Sequence, residues 1–172
     1  MTVLVPQDLV FADRAPWIFD FEGLINASPA EVWAAFIDNE SWTVWFERCK
    51  SCRATSDPFD GIGSTRTIEV NGLRVEERFI AWQPELLWAF TATAMRMSFA
   101  RSMVERATFA ELEGGRTRIS YRLAVQPRLW GRPLHRLIAK RGAVSFARSF
   151  VALDAYLANR RADPGVVDVT DG

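Results

Sequence analysis

The sequence has few of the residues on which metal and redox sites depend. It contains two cysteines, Cys49 and Cys52, and a single histidine, His135. A structural zinc site needs about four ligands, and a redox-active Cys-x-x-C pair needs a helix N-terminus that stabilises the thiolate. The residues that follow Cys52 have no helical pattern. We therefore expect two reduced cysteines on a strand, a histidine at the surface or at the mouth of a cavity, and neither a metal nor a cofactor.

The chain also lacks net charge and long apolar runs. Lys and Arg together number 21, and Asp and Glu also number 21, so no overall basic field favours nucleic acid or an anionic membrane. No apolar run reaches the length of about 18 residues that a membrane span needs, and no signal-peptide pattern opens the sequence. These absences predict a cytoplasmic protein with no integral membrane segment and no nucleic-acid partner.

The pattern that is present is alternation with a period of two, which predicts strands. With 172 residues, the chain is expected to form one domain over 17–161, with a loosely attached arm over 1–16 and a disordered acidic tail over 162–172. Asn71-Gly72 predicts a two-residue hairpin turn. The predicted strands are Trp17–Ile25, Cys49–Thr55, Ser64–Val70, Leu73–Trp82, Leu86–Met95, Ala100–Leu112 and Arg116–Gln126.

Three segments have helical patterns instead. Ser28, Pro29 and Glu31 stand at the spacing of a capping box, a short helical piece is predicted at Ser41–Phe46, and a long helix at Gly131–Arg161. The apolar residues of the long helix lie on two different faces, the first formed by Leu134, Leu137 and Ile138 and the second by Phe146, Phe150, Leu153 and Leu157. The order of elements predicts an α+β fold, in which a curved antiparallel sheet of six to seven strands closes around the long helix and leaves a cavity.

Four segments resemble the START/Bet v 1-like (SRPBCC) superfamily, whose bacterial members include polyketide cyclase/dehydrase-like proteins. They are Ile25–Trp33 (INASPAEVW), Gly61–Ser64 (GIGS), Val75–Pro84 (VEERFIAWQP) and Gly115–Ile119 (GRTRI). The resemblance covers about Trp17 to Arg160 and implies the helix-grip fold. It also implies a hydrophobic small molecule, such as a lipid or a polyketide, as the partner, because superfamily members bind flat apolar molecules and some catalyse ring closure or dehydration.

Two carboxylates are candidate catalytic groups. Glu77 shares strand parity with apolar neighbours, so we expect it to face inward, where desolvation disfavours its charged form. In a functional role it is predicted to act as a general acid/base or as a hydrogen-bonding anchor for a ligand hydroxyl or carbonyl. The alternatives are an ion pair with an arginine of a neighbouring strand, such as Arg66, Arg101 or Arg106, or a bulge that turns Glu77 outward. Glu105 has the same two interpretations: an interior role or a surface pair.

The remaining candidates are apolar or aromatic side chains expected to line the cavity or its mouth. Tyr121 is predicted to be an interior residue whose hydroxyl needs a partner. The ligand-binding set is Val75, Phe79, Trp88, Phe90, Met95, Met97, Phe99, Met103, Tyr121, Phe146 and Phe150. Three functions remain open: a binding protein for an apolar molecule, a cyclase/dehydratase using Glu77 or Glu105, and an interaction module with a partner surface at Trp42–Phe46. A homodimer is also left open.

Overall fold

The computed structural model describes residues 1–96 and 99–162, apart from the side chain of Arg132. Seven antiparallel strands form a curled half-barrel: β2 (Trp17–Ile25), β3 (Cys49–Ala54), β4 (Thr65–Val70), β5 (Leu73–Gln83), β6 (Leu87–Met95), β7 (Ala100–Leu112) and β8 (Arg116–Pro127). Their order across the sheet is β2-β8-β7-β6-β5-β4-β3, and a two-residue strand, β1 (Thr2–Val3), pairs with β6. The predicted tail falls outside the described residues from 163 onward.

The helical elements are two short helices after β2 and one long helix at the end. They are α1 (Pro29–Ile37), α2 (Trp42–Trp45) and α3 (His135–Ala162), together with 3-10 segments at Leu9–Asp13 and Leu129–Leu134. The predicted α+β helix-grip fold is confirmed. No helix in the described part of the chain is long and apolar enough to cross a membrane.

Local chemistry fixes the turns and the helix starts, as the sequence indicates. The Ser28 side chain accepts from the Glu31 backbone N–H, and the Glu31 carboxylate accepts from the Ser28 N–H at 2.9 Å, which completes the capping box. Asn71 and Gly72 adopt φ values of 54° and 78°, the positive φ that a type I′ turn requires at both central positions. Bulges between Glu76 and Glu77 and between Phe79 and Ala81 interrupt the ladder of β5, and such bulges bend a strand.

Helix α3 packs on the concave side of the sheet, and its fully buried residues begin at Phe146. Phe150 lies so close to Gly23 of β2 that a Cβ on the glycine would come within 2.5 Å of the ring. The C-terminal half carries the helix's polar bonds to the rest of the chain: Asp154 accepts from the Asn26 backbone N–H at 2.6 Å, and Arg161 donates to Glu31 at 2.7 Å. The C-terminal half of α3 is therefore fixed by packing and by hydrogen bonds.

The first residues of the chain are part of the sheet, so the prediction of a loosely attached arm is wrong. Strands β6 and β7 pair only as far as Thr91 and Val104, and the arm fills the gap beyond. The Leu4 N–H donates to the Thr93 carbonyl, the Val5 N–H donates to the Arg101 carbonyl, and the Leu4 side chain is 2% exposed. This pairing is non-local, which explains why a local sequence pattern does not reveal it.

On the convex side, the 3-10 segment at Leu9–Asp13 covers β7 and β8. Asp13 accepts hydrogen bonds from Arg106 and from Arg122, and Arg122 also donates to Asp20. All four side chains are at least partly exposed. A chain of surface ion pairs therefore fastens the arm to the outer face.

Candidate functional site

The concave side of the sheet is filled by aromatic rings rather than by open space. Trp88 of β6 lies at its centre and contacts rings from the short helices and from neighbouring strands. Phe146 of α3 stacks on Phe21 at 4.3 Å between ring centres and meets Tyr121 at 4.5 Å. The rings that contact one another here include Phe36, Trp42, Trp45, Phe79, Trp88, Phe90, Phe109, Tyr121 and Phe146.

Arg66 lies inside this aromatic cluster, although it is a charged residue. Strand β4 places it opposite Glu77 of β5 in the sheet register, and its Nε donates to Glu77 Oε2 at 2.6 Å. The two side chains are 1% and 3% exposed. The guanidinium carbon lies 4.3 Å from the ring centre of Trp42 and 5.0 Å from that of Trp88, distances at which a cation is attracted to an aromatic face.

Two buried hydrogen-bond donors in this cluster have no acceptor among the described residues. One is Arg66 Nη2 and the other is Trp88 Nε1. Leaving a buried donor unpaired costs about 1–3 kcal/mol, and more when the group is charged. Other tryptophans of the cluster do not share this property, since Trp42 Nε1 donates to the Phe36 carbonyl at 2.9 Å and Trp45 Nε1 to Ser41 Oγ at 3.0 Å. The interior therefore offers two unsatisfied donors on neighbouring side chains.

Glu105 of β7 is the second carboxylate on the concave side. It accepts a hydrogen bond from the Tyr121 hydroxyl on β8, and part of its side chain remains accessible to solvent. Desolvation raises the pKa of Glu105 to about 7, and the negative charge of Glu77 contributes to the rise. Burial, with Glu105 adding to it, raises the pKa of Tyr121 well above 10. Glu105 is therefore poised to exchange a proton near neutral pH, whereas Tyr121 stays protonated and acts as a donor.

Glu77 differs from Glu105 because it has a full counter-charge. Burial raises its pKa, and the Coulomb attraction and hydrogen bond of Arg66 oppose the rise. The ion pair with Arg66 is the alternative that the sequence left open for Glu77. Its carboxylate holds the guanidinium in place, and Arg66 Nη2 keeps no partner among the residues that the structure describes.

The predicted lining residues converge on one cluster. All of those that the structure describes belong to the main hydrophobic core or pack against it, and Phe99 is the only half-buried one among them. Met97 lies outside the described residues. The buried members are Val75, Phe79, Trp88, Phe90, Met95, Met103, Tyr121, Phe146 and Phe150. Whether these residues contact a ligand stays a prediction.

Among the described residues, the concave side of the sheet is packed with side chains where an open hollow was expected. Two depressions, of about 250 and 280 Å³, lie elsewhere. The first is bordered by outward-facing residues such as Asp20 and Arg122, and the second lies at the edge between β2 and α3, beside Gly23 and Val151. Bulky aromatic residues on both the helix and the sheet occupy the space that simple geometry leaves between them. A guest molecule would have to displace some of these rings.

The cysteines and the histidine lie where the sequence predicts. Cys49 and Cys52 are free, buried thiols on β3, and desolvation raises their pKa values to about 11 and about 12, which keeps them protonated and unreactive. His135 is exposed at the start of α3 and contacts the rings of Trp17 and Phe19. Across the described ranges, no three His, Cys, Asp or Glu side chains are grouped as metal ligands.

Sequence reasoning missed the centre of the site and misplaced one surface. Arg66 was predicted only as a partner for Glu77, and its orientation toward the interior was not predicted. The alternation of Arg66, Ile68 and Val70, which share one face of β4, is the signal for that orientation. The partner surface predicted at Trp42–Phe46 is wrong, because Trp42 and Trp45 are each 1% exposed and pack into the aromatic cluster. Two tryptophans in one short helix, followed directly by Phe46, are better explained by burial than by a binding surface.

Comparison with known proteins agrees with this architecture. The family described as "Polyketide cyclase / dehydrase and lipid transport" matches residues 17–158. The Zhui aromatase/cyclase from Streptomyces sp. R1128 superposes with a TM-score of 0.70 at 13% identity, covering 87% of this chain and 98% of that protein. A START superfamily protein from Mycobacterium smegmatis gives a TM-score of 0.68 at 13% identity, with 83% and 97% covered. These structures show a shared START/Bet v 1-like fold.

A similar sequence occurs in Mycobacterium tuberculosis strain H37Rv. The uncharacterised protein Rv2574 is 32% identical over 84 residues, which is 48% of this chain and 50% of that protein. The chain therefore spans about half the length of this relative.

Proposed function

Because the chain belongs to the polyketide cyclase/dehydrase and lipid transport family, we propose that it binds a hydrophobic or aromatic small molecule on the concave side of its sheet. The observation that supports this most directly is the pair of unpaired donors, Arg66 Nη2 and Trp88 Nε1, within an aromatic cluster. If the core served only to stabilise the fold, apolar residues in place of the buried ion pair would stabilise it more. An oxygen atom of a ligand placed between the two donors would remove the cost of both.

The chemistry of the cluster defines the class of ligand. Its rings favour a flat apolar body, and its free donors favour an acceptor at one end, such as a carbonyl, carboxylate or phenolate oxygen. The ligand-binding residues are proposed to be the predicted lining set, with Arg66 added as the polar anchor. Glu77 acts through Arg66, as a residue that positions the guanidinium.

The route to this site is proposed to lie under the first half of α3. The second half of the helix is held by Asp154, Arg161 and Ser149, whose hydroxyl accepts from the Glu47 backbone N–H at 2.9 Å. The first half is largely exposed, and Phe146 is the first fully buried residue of the helix. Movement of Phe146 away from Phe21 would open the aromatic cluster with few hydrogen bonds broken.

Binding can be tested with 8-anilinonaphthalene-1-sulfonate, an apolar aromatic probe that carries an anionic oxygen acceptor. We expect the native protein to enhance its fluorescence saturably and Trp88→Phe to weaken binding about tenfold, because one donor to the probe is lost. Trp42→Phe is the matched control. It removes an indole N–H that already has an acceptor, so it should lower stability more than it lowers affinity.

The proposal fails if the native protein shows no saturable binding, or if Trp88→Phe and Trp42→Phe weaken binding equally. Native mass spectrometry of the freshly purified protein offers an independent measurement. An apolar molecule retained by the native protein and lost from the double variant Arg66→Met/Glu77→Met would support the site, since that variant removes the ion pair without leaving a lone buried charge.

A second candidate function is a cyclase/dehydratase, and the pair formed by Glu105 and Tyr121 favours it. A carboxylate whose pKa is about 7 is suited to take a proton from a carbon next to a carbonyl group at neutral pH. The unpaired Nη2 of Arg66 would stabilise the resulting enolate oxygen by donating to it. Glu105 would then return the proton to the departing hydroxyl, which leaves as water.

Turnover of a poly-β-ketone substrate by the purified protein tests this candidate. We expect Glu105→Gln to lose at least a hundredfold in rate, because general acid–base catalysis typically contributes about that much or more, while probe binding is retained. Glu76→Gln, on β5, serves as a control for carboxylate loss. An unchanged rate in Glu105→Gln, or no turnover by the native protein, would rule out the enzymatic function and leave the binding function standing.

A further inference from the structure

The charges of this neutral chain are unevenly distributed along its length. Between Glu113 and Asp154 there is no acidic residue. The same stretch contains nine cationic residues: Arg116, Arg118, Arg122, Arg128, Arg132, Arg136, Lys140, Arg141 and Arg148. The net charge of zero therefore conceals a strongly basic segment, which the interior site does not use.

The structure concentrates part of this charge beside exposed apolar side chains. Leu129 and Trp130, in the 3-10 segment before α3, are 78% and 59% exposed, and Leu137 in the first turns of α3 is 44% exposed. Arg136, Lys140 and Arg141 are also exposed. We name this surface the cationic end of α3 and define it by Leu129, Trp130, Arg136, Leu137, Lys140 and Arg141.

The cations of this surface differ from Arg148 and Arg161, which lie farther along the helix. Arg148 pairs with Glu47 at 2.8 Å and Arg161 pairs with Glu31 at 2.7 Å. Arg136, Lys140 and Arg141 make no ion pair with any residue that the structure describes. Their charge therefore does not serve to hold the helix on the sheet, and it remains available to an anionic partner.

The apolar residues continue along the outer side of the helix. Leu137, Val144 and Val151 follow one another at intervals of seven residues and are 44%, 46% and 72% exposed. Residues seven apart lie almost above one another on a helix. An apolar stripe bordered by cations, with a tryptophan at its end, is the composition of a surface that lies at a membrane–water interface.

We propose that the cationic end of α3 docks the protein on the surface of an anionic lipid bilayer. The Arg and Lys side chains contact the negative headgroups, while Trp130, Leu129 and Leu137 enter the boundary between the headgroups and the acyl chains. Nucleic acid also carries the matching negative charge, but a surface that binds its phosphate backbone does not require exposed leucines such as Leu129 and Leu137. This docking does not depend on occupancy of the aromatic cluster, so it stands or falls separately from the proposed ligand site.

Flotation with lipid vesicles tests the proposal on the full chain. We expect the native protein to float with vesicles made of phosphatidylcholine and phosphatidylglycerol in equal parts, to stay behind with phosphatidylcholine alone, and to be released by high salt. The triple variant Arg136→Gln/Lys140→Gln/Arg141→Gln should partition about a hundredfold more weakly, given about 1 kcal/mol for each charge near the surface. Leu129→Ser/Trp130→Ser should also lose binding, now without a change in charge.

A matched control removes three exposed arginines elsewhere on the surface. Arg53→Gln/Arg78→Gln/Arg118→Gln lowers the net charge by the same amount and should leave flotation almost unchanged. Equal losses in the two triple variants would mean non-specific attraction and would overturn the proposal. The proposal would also be overturned if Leu129→Ser/Trp130→Ser floated as well as the native protein. A native protein that does not float, but binds duplex DNA or dimerises through this surface, would overturn it too. Circular dichroism of each variant confirms that it is folded, which is expected because every substituted side chain is exposed.

Discussion

The two faces of the sheet carry similar sets of charged residues in opposite surroundings. On the convex face, Asp13 and Asp20 pair with Arg106 and Arg122, and the two carboxylates are 53% and 56% exposed. On the concave face, Arg66 and Glu77 pair at 2.6 Å with almost no exposure. Exposed pairs contribute little to stability because water screens them, whereas buried pairs pay a desolvation cost that their attraction often fails to recover.

The contrast indicates what each network is for. The convex pairs hold the N-terminal arm on the sheet at little cost. The concave pair lies among aromatic rings and leaves a donor of Arg66 unpaired, so stability gives no reason for its presence. A buried charge of this kind is a candidate functional group, and the following experiments are designed to break or sharpen this contrast.

The largest expected effect comes from removing one partner of the concave pair. Glu77→Gln leaves Arg66 as an uncompensated buried charge and should lower the free energy of unfolding by about 3–5 kcal/mol, measured by urea denaturation. Arg66→Met/Glu77→Met should remain near the native stability or exceed it, because both charges are removed together. Glu76→Gln controls for carboxylate loss at a half-buried neighbour. The contrast disappears if the double variant is as unstable as Glu77→Gln.

The next effect is a pH dependence with opposite signs on the two faces. Glu105 has a pKa of about 7 in the folded chain against an ordinary value of 4.5, so the native state binds its proton more tightly than the unfolded state. Stability should therefore fall by about 2–3 kcal/mol as pH rises from about 4.5 to 7. Thermal unfolding of the native protein and of Glu105→Gln across this range isolates the effect, because the variant lacks it.

On the convex face the sign reverses. A hydrogen bond from Arg106 lowers the pKa of Asp13 below 3.8, and Arg122 adds to the shift. The pairing of Asp13 therefore contributes stability above pH 3.8, and this contribution is lost as pH falls through the lowered pKa. In Asp13→Asn, the free energy of unfolding should change less with pH below 3.8 than in the native protein. Its change between pH 4.5 and 7 should stay the same.

A smaller effect tests how tightly the concave side is filled. Gly23→Ala places a methyl group within 2.5 Å of the Phe150 ring, and overpacking of this kind typically costs about 1–3 kcal/mol. Gly61→Ala is the matched control, because a Cβ there meets no atom within 4 Å. Urea denaturation of both variants measures the difference. Equal stabilities would show that α3 can shift on β2 with little penalty.

The smallest effect is expected on the convex face. Asp13→Ala removes two ion pairs, yet it should cost only about 1 kcal/mol because these side chains remain in contact with water. The cost should shrink further in high salt. A loss comparable to that of Glu77→Gln would mean that the arm contributes far more to the fold than its ion pairs suggest.

Sequence patterns predict most of the architecture because most of it is encoded locally. The bounds of Trp17–Ile25 and Ala100–Leu112 agree with the structure, and so do the capping box at Ser28 and the turn at Asn71. These features depend on alternation, side-chain capping or positive φ, which a short stretch of sequence reveals.

The misses share a different origin. The arm pairs with strands far away in sequence, and Arg66 faces inward because Glu77 lies opposite it on another strand. The two apolar faces of α3 also differ in burial, which the sequence does not reveal, since Leu137 is 44% exposed and Phe150 is buried. The zero net charge hid the basic segment for a similar reason, because a sum over the chain contains no information about position.

Because Leu4 lies in the gap between β6 and β7, changes at the N-terminus affect how binding to this protein is measured. The wall of the half-barrel is completed by the chain's own leading residues, and the Leu4 side chain joins the same core as the aromatic cluster. Fusing a bulky tag ahead of Met1, or trimming the first seven residues, would loosen the sheet where β6 and β7 do not pair with each other. Such a change would admit small molecules through the wall itself, so binding measured on a tagged protein should be repeated after the tag is cleaved.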